Sequence, residues 1–154
     1  MTPAIASLEA AGVAFTVHEY HHQPGGRDFG REAADALGVH PDRVFKTLLV
    51  ADGEIVAVAI VPVSAQLSLK AAGRALGLKR LAMCEPERAR RVTGYVLGGI
   101  SPFGQRRRLP TVVDETGQLY DEIYVSGGRR GVDVGVAPAD LIRLLDATTA
   151  DITA

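Results

Sequence analysis

Val44-Phe45-Lys46-Thr47-Leu48-Leu49-Val50-Ala51-Asp52-Gly53-Glu54-Ile55-Val56-Ala57-Val58-Ala59-Ile60-Val61-Pro62 is the stretch that decides the fold. Two β-branched, apolar runs, residues 44–51 and 55–62, flank Asp52-Gly53. Such a pair favours the left-handed backbone of a two-residue turn, so the segment predicts an antiparallel hairpin. Period-2 alternation puts Lys46 on the same strand face as Val44, Leu48 and Val50. An ammonium there is costly unless it meets an anion or a polarised oxygen. The chain has 14 Arg and only 3 Lys, which suggests that a compact point charge is needed at this place. Spacing alone leaves a second reading open, a long side chain snorkelling from a strand end.

Working outward, Thr2-Pro3 reads as N-cap and first helical residue of a helix through about Ala11, ended by Gly12. Val13 to Tyr20 predicts a strand, and 21–28 a loop rich in Gly and His. A helix over Gly30 to Leu37 is closed by Gly38. Ser68 caps another to about Leu76, and Glu85 to Val92 forms a third. Residues 94–110 read as a long glycine-containing loop, with a strand over Leu109 to Asp114. Ile123 to Ser126 and Val132 to Val136 predict a second hairpin around residues 127–131, and Pro138 opens a last helix to about Leu145. Hairpins with interspersed helices and no regular βαβ alternation predict one mixed α/β domain over residues 1–154 with much antiparallel pairing.

Composition bounds the rest. With 154 residues, 47% hydrophobic and 23% charged, the chain suits one folded domain rather than a disordered one. The apolar run 55–63 is far short of the ~20 residues of a membrane helix, so a soluble, cytoplasmic protein without a membrane partner is expected. Net charge is −1, yet residues 70–130 carry 12 Lys+Arg against 6 Asp+Glu. The remainder carries 5 against 12, so one basic side is compatible with phosphate contact.

Candidate chemistry outside Lys46 is sparse. Gly98-Gly99-Ile100-Ser101-Pro102-Phe103-Gly104 could aim backbone N–H groups at a ligand oxygen, although an ordinary turn fits the bare pattern as well. Arg106, Arg107 and Arg108 follow it and could touch phosphates. The Lys-Ser/Thr ending of a P-loop is missing. Ser126 and Asp133 could face one pocket across the second hairpin, or simply stabilise its turn. His18, His21, His22 and His40 show no zinc pattern, and lone Cys84 has no evident base and excludes an internal disulfide, so neither metal nor cofactor is expected. A nucleophile elbow and a dinucleotide fingerprint are also absent.

Taken together, Met1-Thr2-Pro3-Ala4, Phe29-Gly30, residues 45–50, residues 93–102, residues 108–111, Tyr124-Val125-Ser126-Gly127-Gly128 and Arg130-Gly131 resemble the YbaK/EbsC group of prolyl-tRNA-editing-like domains. The resemblance covers nearly the whole chain and is strongest to the group's Cys-tRNA(Pro) deacylases. It implies a mixed, partly barrel-like sheet flanked by helices that holds the aminoacylated 3′ end of tRNA, acting transiently beside prolyl-tRNA synthetase. By matching positions it implies Lys46 at the catalytic centre, with Tyr20, Phe29, Thr47, Ser126, Asp133 and the backbone of Gly98, Gly99, Ile100 and Ser101 lining the pocket. It further implies that the substrate thiol attacks its own ester, without a protein nucleophile. Two other readings stand beside it: hydrolysis of Ala-tRNA(Pro) by water, and a non-catalytic tRNA- or synthetase-binding module.

Overall fold

A computed structural model describes every residue except Pro24 and Arg27, which fall inside the 21–28 loop. The elements run α1 (Pro3–Ala11), β1 (Phe15–Glu19), α2 (Phe29–Leu37), β2 (Phe45–Asp52), β3 (Ile55–Pro62), α3 (Leu69–Leu76), β4 (Ala82–Met83), α4 (Pro86–Thr93), β5 (Thr111–Asp114), β6 (Ile123–Arg129), β7 (Val132–Val136), α5 (Pro138–Leu145) and β8 (Thr148–Ala150). Short 3-10 turns cover Pro41–Arg43 and Glu115–Leu119. The Thr2 side chain accepts from the Ile5 N–H at 3.2 Å, Pro3 opens α1, and Gly12 closes it. Ser68 likewise caps α3 by accepting from the Ala71 N–H at 3.1 Å.

The hairpin organises a five-stranded sheet in the order β4-β2-β3-β5-β8. β2 and β3 pair antiparallel from Phe45↔Pro62 to Asp52↔Ile55, whereas β3–β5 and β5–β8 are parallel. β3 is apolar throughout because both its faces are covered. Val56, Val58 and Ile60 enter the main core with Leu8, Phe45, Leu49 and Ile123. Ala59 and Val61 pack on the other side with Ala72 of α3, Val112 and Ile152. Each large buried side chain of this kind contributes about 1.5–3 kcal/mol relative to exposure.

A second sheet of three antiparallel strands, β1-β7-β6, joins the first through a parallel bridge between Val44 and Tyr124. The mixed, largely antiparallel architecture expected from the sequence is therefore present, as two sheets that meet at that bridge. The second hairpin differs in detail from the expectation. β6 continues through the glycines to Arg129, its register shifts between Ser126 and Arg129, and the connection shrinks to Arg130-Gly131. Gly127 and Gly128 thus form a bulge rather than a loop tip. β4 and β8 leave no signal in the sequence, since two or three residues carry no measurable alternation. Among the described residues no helix is long and apolar enough to cross a membrane.

Candidate functional site

A cavity of about 300 Å³ lies where the first half of β2 meets the start of α2, the 97–100 loop and the β6–β7 hairpin. Strand alternation explains what β2 contributes. Val44, Lys46 and Leu48 share one face and border the cavity, while Leu49 on the other face enters the main core; Phe45 belongs to that core and also borders the cavity. Lys46 is half-buried, and no carboxylate lies within ion-pair distance of it among the described residues. Burial pulls its ammonium below the usual lysine range, and the nearby charge of Asp28 opposes that pull. Thr47, which also borders the cavity, has a buried Oγ1 with no hydrogen-bond partner among the described residues. A half-desolvated cation and an orphaned hydroxyl in one cavity suit a ligand that carries an oxygen and a second polar group.

The opposite wall carries a carboxyl whose ionisation is opposed by burial. Ser126 and Asp133 are direct partners across β6 and β7, and both line the cavity. Asp133 is 5% exposed, and burial pushes its carboxyl up to about 7. Tyr20 donates to Asp133 Oδ1 at 3.4 Å; burial drives the phenol above its ordinary range. The Ser126 hydroxyl accepts from the Gly128 N–H at 3.2 Å and, among the described residues, makes no hydrogen bond to Asp133, so it holds the turn rather than standing as an activated nucleophile. Among the described residues no histidine lines the cavity, and Cys84 lies elsewhere with its thiol donating weakly to the Glu85 carbonyl.

The loop forming the third wall is pinned from behind. The buried Tyr95 hydroxyl donates to the Phe103 carbonyl at 2.6 Å, and Gln105 Nε2 donates to the Ser101 carbonyl at 3.0 Å. Gly98 has φ +84, and a Cβ built there would sit 2.8 Å from the Phe29 ring. A Cβ on Gly99 would meet the Arg129 backbone at the same 2.8 Å. Both glycines are therefore needed for close packing between α2, the loop and the hairpin. Gly98 and Ile100 line the cavity, and among the described residues their N–H groups make no backbone hydrogen bond, whereas the Gly99 N–H donates to the Val96 carbonyl at 2.9 Å.

The pattern of the aminoacyl-tRNA editing domain matches residues 23–144, and the matched span includes β2, the glycine loop and the β6–β7 hairpin. The chain belongs to the aminoacyl-tRNA editing domain family. EbsC of Enterococcus faecalis, provisionally named a Cys-tRNA(Pro)/Cys-tRNA(Cys) deacylase, is 36% identical over 121 residues, 78% of this chain and 74% of the relative. A proline–tRNA ligase of Moorella thermoacetica is 38% identical over 74 residues, 47% of this chain and 13% of the ligase. A solved structure described as a provisional trans-editing enzyme for prolyl-tRNA synthetase superimposes with TM-score 0.87 at 28% identity, covering 99% of this chain and 95% of that one.

In this editing domain the structure gathers most of the sequence candidates around one cavity: Lys46, Thr47, Tyr20, Phe29, Gly98, Ile100, Ser126 and Asp133. Gly99 and Ser101 are not among the lining residues. Gly99 closes against the hairpin, and Ser101 is fully buried with its hydroxyl accepting from the Phe103 N–H. Arg106, Arg107 and Arg108 are exposed and lie away from this cavity. Arg107 and Arg108 border a second one of about 240 Å³ beside Ser7, Gln105 and the end of α5, while Arg106 packs over Gly94. Asp28, Gly30, Val63 and Leu97 also line this cavity and were not among the sequence candidates. Their approach depends on the packing of α2 onto the end of β3, which no local pattern announces.

Proposed function

We propose that residues 1–154 form one trans-acting editing enzyme that deacylates cysteinyl-tRNA(Pro), working in the cytoplasm in transient company with prolyl-tRNA synthetase. The observation that carries this reading is Lys46: a half-buried ammonium without a carboxylate partner, in a cavity where, among the described residues, neither the Ser126 nor the Thr47 hydroxyl is hydrogen-bonded to a base and the one hydroxyl that is, Tyr20, is a phenol that burial keeps protonated. Such a site offers charge stabilisation and orientation rather than a nucleophile. The reacting nucleophile then comes from the substrate. The cysteine sulfur attacks its own ester carbonyl, a C–S bond forms, and the C–O bond to the terminal ribose breaks. The ribose oxygen takes a proton, tRNA leaves, and the cyclic thioester is later opened by water. Lys46 and the free amides of Gly98 and Ile100 face the oxyanion that develops. Thr47 Oγ1 is available to the substrate's amino group, and the hydrogen-bonded Asp133–Tyr20 pair supplies a polar wall.

A synthetase that accepts proline distinguishes cysteine poorly, because a difference of about one methylene gives only about 1–3 kcal/mol of discrimination. A second, hydrolytic sieve has a purpose there. The deciding experiment measures deacylation of Cys-tRNA(Pro) and Ala-tRNA(Pro) by the same preparation. Fast loss of the cysteinyl ester with a stable alanyl ester is the expected result. Comparable loss of both points to attack by water, and loss of neither shows a binding module.

A further inference from the structure

Arg130 occupies the short turn between β6 and β7, and its side chain reaches two residues that line the cavity. Its Nε donates to the Leu97 carbonyl at 2.8 Å, and its guanidinium carbon lies 4.8 Å from the centre of the Phe29 ring. Phe29 and Leu97 both line the cavity, so Arg130 spans the rim between α2 and the glycine loop. No carboxylate pairs with it among the described residues, in contrast to Arg129, which reaches Glu19 at 3.8 Å. Beside it Val96 and Leu97 are 50% and 55% exposed, an apolar pair on the surface of an otherwise well-buried loop. A planar cation thus lies over an aromatic ring on one side and is tied to a carbonyl through Nε. The side chain is otherwise exposed, next to apolar surface. Unstacked nucleobases are bound by such groups, on guanidinium planes as well as on aromatic rings.

We infer that the Arg130 guanidinium, backed by Phe29 and flanked by Val96 and Leu97, is the stacking platform for the purine base of the 3′-terminal nucleotide. The inference rests on the editing reading: an aminoacyl group inside the cavity places the ribose that carries it at the mouth and the attached base on the rim. It adds a recognition element for the nucleotide that is separate from the groups around the ester. Stacking on a fixed plane is indifferent to the rest of the tRNA, so the platform serves any acceptor that ends in the same nucleotide.

The test compares binding of two stem–loop RNAs, one ending in CCA and one carrying an abasic sugar at the terminal position. The wild-type protein is expected to prefer the complete RNA about tenfold, within the range of about 1–3 kcal/mol for one base–side-chain stack. Arg130→Ala and Arg130→Lys should both erase the preference while binding the abasic RNA as the wild type does, since lysine keeps the charge but not the plane. A wild-type protein that binds both RNAs equally, or neither, overturns the inference. So does Arg130→Lys with the preference intact, because charge alone would then suffice. Cys-tRNA turnover is followed in parallel. Normal turnover without a base preference removes the platform only, whereas absence of turnover on every ester removes the editing reading itself.

Discussion

The Tyr20 hydroxyl donates to Asp133 Oδ1 across 3.4 Å, linking the end of β1 to the neighbouring strand β7 at the cavity wall. Burial holds the Asp133 carboxyl at about 7, and the Tyr20 hydrogen bond works against that rise. An unfolded aspartate ionises near about 3.9. Between roughly pH 4 and 7 the folded chain therefore keeps a proton that the unfolded chain has lost. Stability from this group is complete below that window and declines as pH rises through it, by at most about 1.4 kcal/mol per pH unit. The urea midpoint should fall from pH 5 to pH 8, and Asp133→Asn should flatten that fall. Tyr20→Phe should extend it to higher pH. An Asp133→Asn protein whose midpoint tracks the wild type at both pH values would contradict the assignment.

Lys46→Ala should lower kcat for Cys-tRNA by about 10²–10³, the usual loss when one oxyanion-stabilising group is removed. The fold should survive, since the ammonium is half-buried without a carboxylate partner and its removal relieves desolvation. Lys46→Arg should fail as well, because a wide planar fork does not replace a compact charge in a cavity of about 300 Å³. Circular dichroism and the urea midpoint establish that each variant is folded before turnover is compared. Near-wild-type turnover in Lys46→Ala removes this lysine from the reaction.

How far these features could be read in the sequence depends on their range. The β2–β3 hairpin was legible because Asp52-Gly53 and the alternation around it are local, and Lys46 because a charge on an apolar strand face violates a local pattern. The glycines of the 98–99 pair were legible as special, but only one of their uses was. Beside the expected backbone approach to a ligand, the structure needs Gly98 to admit the Phe29 ring and Gly99 to admit the Arg129 backbone. Those pairings join residues about 70 and 30 positions apart, beyond the reach of any window. The bulge in β6 was hidden for a related reason: Gly127-Gly128 reads equally well as a turn until its pairing with β7 is known.

The three consecutive arginines separate by position. Arg107 and Arg108 border the second cavity, free of carboxylates among its lining residues, and Arg108 also donates to the Leu144 carbonyl at 3.4 Å. Arg106 lies over Gly94 instead. Arg107→Glu with Arg108→Glu should therefore weaken binding of full-length tRNA and lower the slope of log affinity against log salt by about 2, one for each phosphate that is no longer neutralised. Arg106→Glu should do less. Cleavage of a minimal aminoacyl-adenosine should be unaffected by all three. Equal losses on tRNA and on the minimal ester would mean that these side chains shape the editing cavity from behind, through the 101–105 segment.

The identity of the nucleophile is tested by four esters of one tRNA: cysteinyl, seryl, alanyl and S-methylcysteinyl. Serine and cysteine differ by one atom and fit the same cavity, so binding alone cannot separate them strongly. Ionisation can. A thiol with a pKa near about 8.5 supplies thiolate at neutral pH, whereas an alcohol scarcely ionises, and an S-methyl group removes the nucleophile altogether. With the sulfur attacking, only the cysteinyl ester should be cleaved quickly, with the S-methyl ester acting as a competitive inhibitor. Its rate should rise with pH toward the thiol pKa, and intramolecular geometry supplies the effective molarity that a protein nucleophile would otherwise provide. With water attacking, small side chains should all be accepted, and alanyl and seryl esters should be cleaved about as fast as the cysteinyl one. Rapid hydrolysis of the alanyl ester would therefore replace the thiol by water and give Lys46 the task of orienting that water.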